Sequence, residues 1–108
     1  MNLEDKELCE KAMAKWGSKL QLMVVVEECT ELSKAILKTL REMEVSSHPL
    51  ASPDLFLLHE ELIEEAVDVE LMVYQLETML KYPNIWLGWR QAKRGRLKER
   101  LEQILGNS

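Results

Sequence analysis

The sequence predicts an all-α protein: a single domain over residues 1–108, built as a four-helix bundle that homo-oligomerisation completes. Three observations favour this class. Apolar residues recur with helical periodicity, Asn-Gly and Asp-Gly turn signals are absent, and Gly and Pro stand where helices would begin or end. With 108 residues and 46% hydrophobic composition the chain can form a small core, and a domain of this size gains stability from association.

The first two helices are predicted over about 3–16 and 18–44. Gly17 ends the first helix, because glycine readily adopts the backbone conformation that closes a helix, and Ser18 opens the second. The second helix is apolar on one side throughout and also apolar on the opposite side near its start, which predicts neighbours on both sides. Its main stripe consists of Leu22, Val25, Cys29, Leu32, Ile36, Leu40 and Met43.

The third and fourth helices are predicted over about 53–81 and 85–105, after a Ser/Pro-rich loop. A Ser-Pro pair opens the third helix, since proline is tolerated at the first helical position. Pro83 is expected to halt this helix, and Asn84 to cap the next. The third helix has two apolar stripes. One consists of Leu58, Leu62, Val69, Leu76 and Leu80, the other of Ile63, Val67, Leu71 and Tyr74.

Charge and hydropathy exclude several classes of partner. The net charge of −5 argues against binding a nucleic-acid polymer, because phosphate contacts need clustered Lys and Arg. No apolar run approaches the roughly 18 residues of a membrane span, and the first residues are charged where a signal peptide is apolar. We therefore expect no membrane association and a cytoplasmic location. Cys9 and Cys29 lack metal-binding spacing and are expected to be buried free thiols.

Two of the predicted helices place carboxylates within apolar faces. Glu27, Glu28 and Glu31 follow five consecutive apolar residues, and Glu65 and Asp68 lie in or beside the first stripe of the third helix. A single glutamate of this kind usually faces solvent. A group on two helices is different, because clustered, partly buried carboxylates repel one another and need a cation. Ligands that are all oxygen favour Mg²⁺, with Mn²⁺ as the alternative.

A di-iron centre is excluded by the histidines. Bundle proteins of that type need Glu-x-x-His pairs. Val45 and Phe56 stand three residues before His48 and His59, so neither histidine completes the pair.

The two acidic motifs resemble a known family. EECTE at 27–31, followed by EAVD at 65–68, resembles the EExxE…ExxD signature of the MazG-like, all-α nucleoside triphosphate pyrophosphohydrolases. The Trp-Gly pair at 16–17 is similar to the turn that precedes the metal helix in that family. The resemblance covers roughly residues 12–80.

The resemblance implies Mg²⁺-dependent hydrolysis of nucleoside triphosphates to monophosphate and pyrophosphate, and a role in removing noncanonical or excess nucleotides. It gives the matched acids a metal-site role, with Glu28, Glu31, Glu65 and Asp68 as ligands. Glu27 is the candidate general base. The Ser/Pro-rich loop makes the stretch between the motifs long for the family, which leaves the choice of substrate open.

Three further residues are candidates for substrate binding. Lys93 and Arg96, on the fourth helix, are candidate phosphate contacts, because an acidic protein needs positive charge to hold a polyphosphate. Snorkelling or salt bridges explain the same residues without a ligand. Trp16 is a candidate for stacking on a base, and packing at the helix end is its alternative.

Helices that are apolar on two sides predict a homodimer or a dimer of dimers, with the site walled by both subunits. Two other functions stay open: a non-enzymatic, dimeric α-helical interaction module whose acids bind a basic partner, and a nucleotide-binding relative that has lost catalysis. No short motif encodes base or sugar selectivity.

Overall fold

Three α-helices and one 3-10 turn make up the chain in a computed structural model, which describes residues 2–106. The helices are α1 (Leu3–Ser46), α2 (Phe56–Leu80) and α3 (Pro83–Gly106), and the 3-10 turn covers Pro53–Leu55 just before α2. No strand occurs among residues 2–106, so the all-α prediction is confirmed. There are three helices rather than four, because the first two predicted helices are consecutive segments of α1, separated only by a kink at Gly17.

The junction between those two predicted helices is a break inside α1. Gly17 has φ 80° and ψ 159°, far from helical values, and the chain is helical on both sides of it. This backbone region is open almost exclusively to glycine. At its start, α1 is capped by Asn2, whose side-chain oxygen accepts a hydrogen bond of 2.8 Å from the amide of Asp5.

The loop between α1 and α2 is fixed at several points. Ser52 caps the 3-10 turn as predicted, accepting a hydrogen bond of 3.3 Å from the amide of Asp54. The ring of His59 in α2 contacts the carbonyl oxygen of Leu50, and the ring of His48 lies 3.3 Å from a carboxylate oxygen of Asp54. Both histidines therefore hold the loop.

The connection between α2 and α3 differs from the prediction. Lys81 and Tyr82 both have positive φ values, of 58° and 54°, and α3 begins at Pro83 rather than after Asn84. The carbonyl of Tyr82 accepts hydrogen bonds from the amides of Ile85 and Trp86. Proline fits the first turn because its missing N–H has no partner to lose there, so a separate cap from Asn84 is not needed.

α1 packs along α2 through the side opposite its predicted main apolar stripe. The buried residues of α1 beyond Gly17 are Gln21, Ala35 and Thr39, and they lie on one line along the helix. The predicted main stripe of α1 is largely exposed; for example, Leu22 is 46% and Leu40 52% exposed. The small side chains of Ala35 and Thr39 allow a close approach that a row of leucines would not.

On α2 the stripe predicted around Glu65 is the one that faces α1. Leu58, Leu62, Val69 and Leu76 are half-buried, whereas Ile63 and Val67 of the second stripe are exposed. Both helices therefore leave an apolar stripe uncovered within one chain. The α1 stripe comprises Leu22, Val26, Cys29, Ile36 and Leu40, and the α2 stripe comprises Phe56, Ile63 and Val67.

α3 packs along neither of the other helices. An ion pair between Arg90 and Glu77 joins it to α2. Its apolar side chains, including Trp89 and Leu97, are exposed. A four-helix bundle is therefore not closed within a single chain.

Two smaller expectations can be compared with the structure. Both cysteines are free, as predicted, but only Cys9 is buried; the expectation that Cys29 is buried was wrong, because it lies on the uncovered stripe of α1. Across the described residues, no helix has the length and apolarity needed to cross a bilayer.

Candidate metal centre

Three carboxylates converge between α1 and α2. One oxygen from each of Glu28, Glu65 and Asp68 lies within 4.8 Å of the other two, and all three residues are half-buried. Glu28 lies on the line of α1 that faces α2. Glu65 and Asp68 are three residues apart on the facing side of α2, so their side chains project in the same direction. Helix packing brings Glu28 next to Glu65 and Asp68, which lie 37 and 40 residues further along the sequence.

The electrostatics of the cluster favour the binding of a cation. Desolvation raises the pKa of Glu28, and the charge of Asp68 and a hydrogen bond with it raise this pKa further. Desolvation also raises the pKa of Glu65, with additional contributions from the charges of Asp68, Glu28 and Glu31. Among residues 2–106, no Lys, Arg or His forms an ion pair with Glu28, Glu65 or Asp68. The negative charge of the cluster is therefore uncompensated by protein groups.

Two lysines that follow Glu28 on α1 pair with other acids. Lys34 Nζ lies 3.4 Å from a carboxylate oxygen of Glu31, and Lys38 Nζ lies 3.1 Å from one of Glu61. These pairs are exposed and flank the cluster without entering it.

The remaining predicted acids lie at the edge of the cluster. Glu31 is exposed and outside the close triplet, although its charge raises the pKa values of both Glu28 and Glu65. Glu27 is exposed beside Glu28 and acts on the pKa of Glu28 in the same direction. The structure thus brings together three of the four predicted ligands and places the fourth, and the candidate base, next to them.

The donor set suits a hard divalent cation. Carboxylate oxygens are the ligands that Mg²⁺ and Mn²⁺ prefer. Glu28, Glu65 and Asp68 are therefore the residues that would hold such an ion, with one oxygen of each within 4.8 Å of the other two.

The predicted substrate contacts are not gathered at the cluster within one chain. Lys93 and Arg96 lie on α3, which packs along neither α1 nor α2. The ammonium group of Lys93 lies 5.7 Å from the ring centre of Trp89, a cation–π distance. Trp16 is 55% exposed and lines a hollow between α1 and α2.

Comparison with known proteins adds no relative: the chain matches no family model, no curated protein and no solved structure. Function must therefore be argued from the residues themselves.

Two glutamines near the carboxylates were missed by sequence reasoning. Gln21 is buried on the α2-facing line of α1, and Gln75 lies on the α1-facing side of α2. Each is seven residues from a member of the cluster, Gln21 from Glu28 and Gln75 from Asp68. Since seven residues is nearly two helical turns, this spacing was the signal that placed both glutamines on the same faces as the acids.

Proposed function

We propose that this protein is a Mg²⁺-dependent nucleoside triphosphate pyrophosphohydrolase of the MazG-like type. It converts ribo- or deoxynucleoside triphosphates to the monophosphate and pyrophosphate, with Mn²⁺ as an alternative cation. The observation that carries the proposal is the convergence of Glu28, Glu65 and Asp68 from two helices, with no cationic partner among the described residues. These three residues also belong to the two motifs that resemble the family signature.

The residues can divide the chemistry of hydrolysis among them. Glu28, Glu65 and Asp68 hold the cation, and Glu31 extends the site toward solvent. A bound divalent cation neutralises charge on the phosphates and helps to orient the reacting groups. Hydrolysis forms a bond from water oxygen to phosphorus and breaks the bridge between the α- and β-phosphates. The water loses a proton, and Glu27, exposed beside the ligands, is the candidate acceptor.

A second copy of the chain supports the site in this proposal. The accessible surface is 8707 Å², whereas a compact monomer of 12.6 kDa has about 6,200 Å². The radius of gyration of 17.8 Å likewise exceeds the roughly 13 Å of a compact domain of this length. The surplus of about 2,500 Å² per chain is comparable to what a large obligate interface takes from each partner. A homodimer or a dimer of dimers would cover it.

Charge complementarity gives α3 a place in that assembly. α3 carries six Lys and Arg residues and two glutamates, a net charge of +4, which leaves −9 for the remainder of the chain. Because α3 does not cover the acidic helices of its own chain, it is the element that can bring Lys93 and Arg96 to the carboxylates of another copy. In this role the two residues would bind the phosphates.

The uncovered apolar stripes also favour a second candidate function, a non-enzymatic module that binds another protein through these helices. In that case the acids would contact a basic partner, and Mg²⁺ would have no effect on stability. The pyrophosphate-release experiment described next distinguishes the two functions, because only the hydrolase releases pyrophosphate.

The test is release of pyrophosphate from a panel of ribo- and deoxynucleoside triphosphates, with and without Mg²⁺. We expect turnover that requires Mg²⁺ and falls on the order of 100-fold or more in Glu28→Gln, because the ligand is lost while the shape is retained. Glu70→Gln is the matched control, since Glu70 is an exposed glutamate on the far side of α2. Equal activity of Glu28→Gln and Glu70→Gln, or no release from any triphosphate by the folded protein, would overturn the proposal.

A further inference from the structure

A hollow opens between α1 and α2 one helical turn from the carboxylate cluster. Val24 and Met72 line its near end. Val24 precedes Glu28 by four residues, and Met72 follows Asp68 by four, so each lies roughly 6 Å along its helix from the cluster. The hollow then continues past Gly17 toward the N-terminal turns of α1. Its position is thus fixed by the same two helices that hold the acids.

The hollow has the size and lining of a small-molecule site. It consists of two adjoining cavities of about 470 and 300 Å³ that share Trp16, Met72 and Gln75. Ligand sites are typically about 300 to 1,000 Å³, largely apolar, with a few polar groups that set orientation. Here the apolar walls include Leu8, Ala12 and Leu71. An exposed indole ring at such a position offers a flat surface for stacking.

Two amides are the polar groups of this hollow nearest the acids, and the charged residues Asp5, Lys11 and Lys15 line its far part. Gln21 lines the cavity nearer to the acids, and Gln75 lines both. The side-chain oxygen of Gln75 is buried, and no donor within residues 2–106 binds it. A buried acceptor without a donor is unfavourable and uncommon in folded proteins, so an N–H group from a ligand would complete it. The amide also carries N–H groups, so one glutamine can both accept from and donate to the edge of a nucleobase.

The distance between the glutamines and the carboxylate cluster matches the length of one nucleotide. Gln21 and Gln75 are each seven residues from the cluster, which is roughly 10 Å along either helix. A nucleotide with its phosphates at the carboxylates therefore has its base at the level of the glutamines, with the sugar beside Val24 and Met72.

We propose that this hollow is the base-binding part of the site: Trp16 stacks on the nucleobase, and Gln75, with Gln21 beside it, binds an N–H group on the base edge. The assignment rests on the proposed function for the position of the phosphates, and it selects a nucleotide over free pyrophosphate or an inorganic polyphosphate.

The test separates base binding from cation and phosphate binding. Nuclear magnetic resonance follows the indole N–H of Trp16, assigned with Trp16→Phe, and the side-chain amide of Gln75, assigned with Gln75→Met. The full chain is titrated with each of the common nucleoside monophosphates in EDTA, so that no cation bridges phosphate to carboxylate. A parallel titration uses tripolyphosphate with Mg²⁺, which has no base. We expect the monophosphates to shift both resonances.

Gln75→Met keeps the length of the side chain and removes its amide. We expect it to weaken monophosphate binding about 10-fold, the loss typical of a hydrogen bond to a buried neutral group, and to leave tripolyphosphate binding unchanged. Gln91→Met is the matched control, since Gln91 is exposed on α3. If Gln75→Met alters packing, Trp16→Phe provides a second comparison, because Trp16 is exposed and its loss of stacking area also weakens the monophosphates.

The outcomes are distinguishable. Failure of every monophosphate to shift either resonance, or equal monophosphate affinity in Gln75→Met and Gln91→Met, overturns the base site. If those results accompany Mg²⁺-dependent tripolyphosphate binding, the proposed hydrolase remains. Monophosphate binding that depends on Gln75 without any Mg²⁺-dependent tripolyphosphate binding supports the hollow and counts against the hydrolase.

Discussion

Repulsion among Glu28, Glu65 and Asp68 is the main electrostatic feature at the scale of single residues. The carboxylates lie close together because α1 and α2 pack at this point, and their partial burial removes some of the water that would screen them. Both effects favour the protonated form, which is why the pKa values of Glu28 and Glu65 are raised. A cation reverses this balance, since it stabilises the ionised form.

This leads to a prediction for the metal-free protein as pH changes. A carboxyl group whose pKa is raised on folding binds more protons in the folded state, so stability falls as pH rises through the raised pKa. Glu65→Gln removes this loss. We expect the metal-free variant to be more stable than the wild type at neutral pH, and the difference to vanish as pH falls to about 4, where glutamate is protonated in the unfolded chain as well.

The same variant should respond less to Mg²⁺. With Mg²⁺ at 100-fold above its dissociation constant, the wild type should gain about 2.7 kcal/mol, and Glu65→Gln should gain clearly less. Urea denaturation across pH, with EDTA or Mg²⁺, measures both effects, and Glu70→Gln is again the control. A variant with the pH dependence of the wild type would show that the carboxylates do not repel one another in solution.

The sequence predicts part of this site for clear reasons. The i, i+3 spacing places Glu65 and Asp68 on one side of a helix, and their position in an apolar stripe indicates burial. Glu31 was grouped with them, but it points to the edge of the face and pairs with Lys34. Whether Glu31 belongs to the cluster depends on which side of α1 contacts α2. That contact is set by how the two helices pack and cannot be read from the sequence of either helix alone.

At the scale of elements, Gly17 decides the course of the N-terminal segment. Its backbone conformation lies in a region that essentially only glycine occupies, and nothing lies within 4 Å of where a Cβ would be. The constraint is thus one of backbone conformation and not of space. The break turns the first 14 residues of α1 so that Trp16, Ala12 and Leu8 face α2 around the hollow.

A prediction follows for substitutions at this break. Gly17→Ala should lower the free energy of unfolding by about 1 to 3 kcal/mol, because alanine must occupy a strained conformation there. Gly88→Ala is the control: Gly88 lies inside α3 with open space around it, and alanine in a helix interior should add up to about 1 kcal/mol. Denaturation at one protein concentration compares them. Equal stability of the two variants would mean that the break is not maintained in solution.

Helix positions were easier to predict than helix faces. Gly17, the Ser-Pro pair and the two acidic motifs placed the elements to within a few residues, because these signals are local. The sequence predicted neighbours on both sides of the second helix but did not distinguish which side contacts α2, because a row of Leu and Ile looks as suitable for burial as a row with Gln21, Ala35 and Thr39. In the structure the row that faces α2 contains the small residues Ala35 and Thr39, which let the two helix backbones approach closely.

At the scale of the whole molecule, residues 2–106 enclose very little apolar core. Only Cys9, Ala35 and Leu55 are buried apolar residues among those described, and no described large side chain is fully enclosed. A domain stabilised mainly by burial of apolar area needs more than this. The uncovered stripes of α1 and α2 and the isolated α3 support the proposed homo-oligomer, in which a second copy would cover them.

We therefore expect the wild type to exceed the 12.6 kDa of a single chain in light scattering after size-exclusion chromatography. Leu40→Glu places a charge on the α1 stripe and Val67→Glu on the α2 stripe, and the variant that shifts the mass toward the monomer identifies the interface. Val45→Glu is the control, because Val45 is 82% exposed and lies off both stripes. A monodisperse wild-type monomer would contradict the proposed assembly.

The backbone at Lys81 and Tyr82 sets the direction of α3. α3 has 24 residues and is therefore about 36 Å long, and its direction is set by two residues with positive φ and one ion pair at its near end. A rotation of about 10° at this joint moves the far end by roughly 6 Å, since displacement grows with the length of a rigid helix. Small differences in the backbone angles at this joint would therefore shift the far end of α3 by several ångströms.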